Sequence, residues 1–185
     1  KRKRLHVIQQ GLWYNFIMLT TIKADAQDRK SAKTPHELFT INMVIVHLFF
    51  SLGMIKLFSL SMGSAISSSI AISLCIIAYT FFRTKKTKEN APHLVYLHWQ
   101  LSLGRYKLLI GAYVFYFLVT SLSLVIGTDA PASMDGSKII DSILDLLGVV
   151  PLFFAVLVSM VLGSGSMFNA GRGEIDQAFM QKHPQ

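Results

Sequence analysis

The chain has 185 residues, of which 52% are hydrophobic and 15% are charged, and its formal net charge is +8. A soluble domain is about one quarter charged, so this composition excludes an ordinary soluble globule and indicates a membrane protein. The positive charge predicts anionic lipid headgroups as partners rather than nucleic acid, because no nucleic-acid-binding motif is present. The single cysteine, Cys75, excludes an intrachain disulfide and is expected to be a buried apolar side chain.

Residues 1–33 are predicted to form a cytoplasmic N-terminal segment. Apolar residues recur at helical spacing over 5–22, but the uninterrupted apolar run is about ten residues, and a span needs about twenty. This pattern favours a helix lying in the membrane interface and anchored by Trp13, with a helix packed on a partner protein as the alternative. A cleaved secretory signal ending at 24–26 is rejected because Lys23 adjoins the cleavage site. Since the chain does not start with methionine, further residues are expected upstream.

Four apolar segments are long enough to span a membrane, and together they define a membrane domain over 34–166. They lie at about 38–62, 65–82, 108–126 and 138–162. A polar linker over 23–33 precedes the first helix, which is predicted to start at Pro35 with a capping box formed by Thr34 and Glu37.

The second span carries Ala65, Ser69 and Ser73 at every fourth position. Small residues at this spacing let helix backbones approach closely, so we expect a helix–helix contact face here, with a pore lining as the alternative. In the fourth span, Pro151 is expected to produce a kink. Small residues at 163–166 are predicted to end that helix.

The segment 83–107 is predicted to be a cytoplasmic hinge between two hairpins. Its first part, 83–90, is a basic block of the kind that stays on the cytoplasmic side of a membrane. Its second part, 92–104, is predicted to be an amphipathic helix on the membrane surface that turns into the bilayer near Gly104. The tail over 167–185 is polar, with a short helix expected at 174–181.

These elements predict an all-α integral membrane protein with four transmembrane helices in two hairpins and both termini in the cytoplasm. Every Lys and Arg except Lys56 and Lys138 lies in the N-terminal segment, the hinge or the tail. That distribution satisfies the positive-inside rule, and it favours a multi-pass protein of the inner membrane.

Ionisable side chains inside a membrane are the first candidates for function. Equal distances from the predicted helix ends suggest that Lys56 and Asp145 face each other, with Asp141 one turn away on the same helix face. A structural ion pair is favoured, and an ion path or substrate site is the alternative. In a third interpretation Lys56 reaches the headgroups and the aspartates complement the helix N-terminus.

His47 is predicted to lie near the middle of the first span. None of the other five histidines falls within a predicted span, so this chain is not expected to hold a bis-histidine haem alone. The remaining interpretations are a hydrogen bond to a neighbouring helix and a haem shared with another subunit.

Aromatic and basic side chains cluster at the expected cytoplasmic interface of the hinge: His93, His98, Trp99, Arg105 and Lys107. An anchor in bulk lipid is favoured, and a grip on a phospholipid phosphate or a quinone headgroup is the alternative.

No phosphate loop, nucleophile elbow, zinc-protease motif or cysteine pair is present, and no cofactor or metal is predicted. We therefore expect a non-catalytic accessory or structural subunit of a larger membrane complex, with other membrane subunits and lipid as partners. The alternative is a small oligomeric transporter or channel that uses Lys56, Asp141 and Asp145. An enzyme acting on lipids through His93, His98 and Arg105 lacks the carboxylate or metal it would need.

Overall fold

A computed structural model describes residues 18–128 and 135–184, with the backbone alone at 124, 126–128 and 135–141. Four of its helices are long and apolar enough to cross a membrane, which confirms the predicted multi-pass helical architecture. These helices cover Ala26–Phe58, Met62–Asn90, His93–Ser123 and Ser142–Arg172.

The first of these helices has three consecutive segments: α1 (Ala26–Ile41), a π-helix (Asn42–Phe50) and α2 (Ser51–Phe58). It begins before Pro35, because the Asp25 carboxylate caps it by accepting from the Asp28 N–H at 2.7 Å. The predicted linker over 23–33 and the predicted start at Pro35 are therefore wrong. Pro35 is buried inside α1, where neighbouring helices can satisfy the backbone groups that a proline frees.

Helix α2 ends at Phe58, where Ser59 adopts a left-handed conformation with φ 54°. Helix α3 (Met62–Asn90) follows, and the Ser61 hydroxyl caps it by accepting from the Ser64 N–H at 3.2 Å. This helix continues through the basic block that the sequence analysis assigned to a hinge.

Helix α4 (His93–Thr128) is continuous, so the predicted turn near Gly104 is wrong. Residues 94–99 are buried by other parts of the protein instead of lying on a membrane surface. The interfacial helix predicted over 92–104 is thus the first part of a membrane-length helix.

Helix α5 (Asp135–Arg172) runs through Pro151 and through the small residues at 163–166, so its predicted end near 162 is wrong. A Cβ added at Gly163 would lie 3.0 Å from Cδ1 of Phe39. The glycine therefore permits close approach of α1 to α5 rather than ending the helix.

The described ends of the chain meet in a two-stranded antiparallel sheet. Strand β1 (Leu19–Thr21) pairs with β2 (Glu174–Asp176), with Thr20 opposite Ile175. Helix α6 (Gln177–Lys182) follows β2 and accounts for part of the short helix expected at 174–181. Most of the interfacial helix predicted over 5–22 lies outside the described residues, and β1 takes the place of its last turn.

Helix α1 packs against α4 and α5, the π-helix packs against α3, and α4 contacts α1, α3 and α5. The main core cluster is apolar and aromatic and includes Phe39, Met43, Ile70, Tyr106, Tyr113 and Leu152. Ala65, Ser69 and Ser73 are fully buried, which confirms the predicted helix–helix contact face of α3. Cys75 is exposed, so its expected burial is wrong.

Candidate functional site

Two histidines from different helices meet inside the bundle. Nε2 of His36 on α1 and Nδ1 of His98 on α4 are 2.9 Å apart, and both side chains are fully buried. The rings meet edge to face, with centroids 5.1 Å apart. Both residues lie in helices that are long and apolar enough to cross a membrane, although both fall outside the spans predicted at 38–62 and 108–126.

The same face of α4 contributes two further polar side chains. Ser102 donates a hydrogen bond to the carbonyl of Pro35 at 3.0 Å. Arg105 donates to the Leu162 carbonyl and to the Ser166 hydroxyl on α5. One face of α4 thus joins α4 to α1 and α5 through polar bonds, and the guanidinium acts electrostatically on both imidazoles.

A second polar chain links the π-helix to α3 and α4. Asn42 donates to the Ser73 hydroxyl at 2.8 Å, and the Tyr113 hydroxyl donates to the same oxygen at 2.6 Å. The Tyr113 oxygen is also 2.6 Å from Nε2 of His47. The hydrogen bond expected from His47 to a neighbouring helix is therefore confirmed.

The π-helix explains why these polar side chains share a face. In an α-helix, Asn42 and Ser51 would point about 180° apart. A π-helix has roughly 4.4 residues per turn, which brings Asn42, His47 and Ser51 onto one face. The Ser51 hydroxyl completes the series with a 2.6 Å bond to Ser69 on α3. A search based on a period of 3.6 residues cannot find this face.

Several buried polar atoms near these chains have no hydrogen-bond partner within the described residues. They include Nδ1 of His36, Nε2 of His98, Oγ1 of Thr40, Oδ1 of Asn42, the Tyr106 hydroxyl and Oγ of Ser159. The Tyr106 hydroxyl lies near Asn42 and Thr80 without a bond of ordinary geometry. Buried polar groups without a partner are costly in an apolar environment. We call this set of polar side chains, from the histidine pair to His47, the polar column.

A cavity of about 260 Å³ lies beside His47 and Ser51, and its other lining residues are apolar side chains of α2, α3, α5 and the π-helix. It is large enough for a small apolar ligand. Apart from His47, the described residues that line it include no acidic or basic side chain.

The histidine pair does not fit haem. Two imidazoles on opposite sides of a haem iron hold their ligating nitrogens about 4 Å apart, because each metal–nitrogen bond is about 2 Å. The 2.9 Å contact between His36 and His98 leaves no room for the ring. Among the described residues, no group of three or more His, Cys, Asp or Glu side chains could hold a metal, and Arg105 disfavours a cation at the pair.

The structure does not bring the predicted ion pair together. Lys56 and Asp145 are both exposed, and neither forms an ion pair with a described side chain. Because α2 ends at Phe58, Lys56 lies only about 3 Å from its helix end, not deep in the span. The side chain of Asp141 lies outside the described residues.

The residues predicted to contact lipid or a partner separate into different environments. His98 and Trp99 are buried in protein, so their predicted contact with lipid is wrong. His93 is half-buried and Lys107 is exposed, whereas Arg105 turns inward to α5. Trp13 lies outside the described residues.

The sequence groups His98 with Arg105 but predicts that this cluster lies at the membrane surface. His36 could not be recognised as a site residue, because Thr34 and Pro35 resemble a helix start and so place His36 outside the predicted span. The buried threonines Thr80, Thr84 and Thr87 continue the contact face of α3 at three- and four-residue spacing, a signal that could have been read.

The four long apolar helices indicate that the chain is a multi-pass membrane protein. Comparison of the chain with models of known protein families, with curated proteins and with solved structures found no match.

Proposed function

We propose that this chain is a protein of the inner membrane that acts as a non-catalytic accessory subunit of a larger membrane complex. The observation that carries the proposal is a second row of small side chains on α3, on the side facing away from the bundle. Ser64, Ala71, Cys75 and Ala78 are exposed there, and Ser68 is half-buried.

Helix α3 thus has small residues on two opposite faces. The inner row is used by the bundle, where Ser69 and Ser73 bond to the first helix. The outer row has no described segment against it. Small residues at this spacing are typical of close contact between membrane helices, so the outer row fits a helix of another subunit.

The outward face of α5 provides the comparison within the same protein. It exposes large apolar side chains, with Phe154 58% exposed and Val161 69% exposed. A face of large apolar side chains is suited to contact with lipid acyl chains. The contrast between the outer row of α3 and this face of α5 supports the proposal that the outer row contacts a partner helix.

The interior supports a structural role for the polar side chains. Those of Asn42, Ser73, Tyr113 and His47 bond to one another across helices. Bonds of this kind hold membrane helices in register. These hydrogen bonds occupy polar groups that would have to be free to bind an ion in a transport path.

The test is site-specific photocrosslinking from the outer row in intact membranes. A benzophenone amino acid replaces Cys75 or Ala78, and the matched control carries it at Val161. We expect adducts with a different polypeptide from positions 75 and 78 and lipid adducts alone from position 161. Equal yields of lipid adducts alone at all three positions would show that α3 faces lipid and would overturn the proposal.

A small oligomeric transporter is the second candidate, and the polar column between His36 and His47 is the observation that favours it. In that case the adducts from position 75 would be dimers of this chain. Gentle-detergent purification separates the two functions, because a subunit migrates with unlike polypeptides and a transporter with copies of itself.

A further inference from the structure

A basic groove lies between the start of α1 and the end of α5, away from the histidine pair. One part is a cavity of about 500 Å³ lined by Ala26, Arg29, Lys30, Lys33 and Gly171. A second cavity of about 470 Å³ is lined in part by the same Lys33 and Gly171. The two cavities therefore adjoin at Lys33 and Gly171, and together they form the basic groove.

The first cavity is lined by three basic side chains and by no acidic one. Arg29, Lys30 and Lys33 have no carboxylate within 4 Å among the described residues. All three lie in the first turns of α1, and the N-terminus of a helix itself favours anions over cations. Asp25 and Asp28 offset part of this charge, so a bound anion would stabilise the arrangement.

The second cavity supplies an apolar wall. Phe168 is 64% exposed and Met167 is 36% exposed, and both line the groove. The guanidinium of Arg172 lies 5.5 Å from the centre of the Phe168 ring. Glu37 is the one carboxylate that lines either cavity, and it lies in the second, away from Arg29 and Lys30.

The Lys33 side chain packs against Gly171 where the two parts of the groove adjoin. A Cβ at Gly171 would lie 2.7 Å from Cε of Lys33. A larger residue there would therefore displace the Lys33 side chain without changing the number of charges in the groove.

We propose that this groove binds the phosphate of an anionic phospholipid, with its headgroup between Arg29, Lys30 and Lys33 and an acyl chain along Met167 and Phe168. Charge complementarity selects an anion. The exposed apolar side chains next to the cations favour a lipid over a free phosphate, because only a lipid has an acyl chain that can cover them. The proposal does not depend on the accessory-subunit function.

The experiment uses the full chain in an uncharged detergent. Phosphatidylglycerol, phosphatidylcholine or inorganic phosphate is added, and retained lipid is counted by native mass spectrometry together with the shift in thermal unfolding. Arg29→Gln/Lys30→Gln removes two charges from the groove. Lys85→Gln/Lys86→Gln is the matched control, because it removes two exposed charges from α3 near its basic end.

We expect the wild type and the α3 control to retain phosphatidylglycerol equally. Each cation near an anionic headgroup contributes about a fivefold change in affinity, so the groove variant should lose roughly tenfold or more. Gly171→Leu should lose as much without a change in charge. Equal losses in the two charge variants, an unaffected Gly171→Leu, or an equal response to inorganic phosphate would overturn the proposal.

Discussion

The contact between His36 and His98 limits what this pair can do. A hydrogen bond between two imidazole nitrogens needs one donor and one acceptor, so at least one ring must be neutral while the bond exists. The pair therefore acts as a polar lock between α1 and α4.

A double-mutant cycle measures this lock. His36→Phe or His98→Phe alone leaves the other imidazole buried without its partner, and each should lower the free energy of unfolding by about 1–3 kcal/mol. The double variant should lose less than the sum of the two, because it leaves no unpaired imidazole. Thermal and denaturant unfolding in detergent gives the three values, and strictly additive losses would show that the 2.9 Å contact contributes nothing.

Tyr113 is the branch point of the second polar chain. Tyr113→Phe keeps the ring but removes the hydroxyl that bonds Ser73 and His47. Since hydrogen bonds between membrane helices average about 0.6 kcal/mol each, we expect a loss of about 1 kcal/mol in the free energy of unfolding. The control is Tyr79→Phe, because the Tyr79 side chain is 56% exposed. Equal changes in the two variants would contradict the role assigned to Tyr113.

At the scale of elements, the π-helix sets the register of the first span. It starts at Asn42 and ends at Phe50, between two α-helical segments with different neighbours. α1 packs on α4 and α5, whereas α2 packs on α3. The wider turns rotate one half of the span relative to the other, so that Asn42 and Ser51 both reach α3.

Deletion of Ile45 tests this register. Its side chain is 52% exposed, so its own loss should cost little. Removing one residue from the π-helix favours ordinary α-helical turns, and it rotates Ser51 away from Ser69 or Asn42 away from Ser73. We expect a loss of several times the effect of Ile45→Ala, read as the midpoint of thermal unfolding. A deletion no worse than Ile45→Ala would show that the π-helix is not needed.

The four spans could be predicted because long apolar runs have few other stable structures. Their ends could not, because helices here continue through polar residues such as the basic block of α3. The contact face at Ala65, Ser69 and Ser73 was predictable from spacing alone. The partners of His36 and His47 were not predictable. The predicted start of the first helix lay too far along the chain to include His36 in a contact between helices. The polar face that includes His47 follows the period of a π-helix, not the period of 3.6 residues of an α-helix.

At the scale of the whole molecule, the positive charge is concentrated at one end of the bundle. The start of α1 and the end of α5 meet there through β1 and β2. The basic last turns of α3 lie on the same side, because the chain crosses the bundle in the first span and returns in α3. The opposite end carries Lys56 and, in a region without described side chains, Lys138. From this distribution, the positive-inside rule predicts that the sheet and the basic groove lie on the cytoplasmic side.

Single-cysteine labelling tests that orientation. In a Cys75→Ser background, Ser59→Cys reports the turn between α2 and α3, and Glu89→Cys reports the basic end of α3. A membrane-impermeant maleimide added to intact cells should label position 59 and should reach position 89 only after the membrane is permeabilised. Both positions are exposed, so burial does not explain a difference between them. The reverse pattern would place the groove on the outer face, where the proposed attraction to the anionic inner leaflet would not operate.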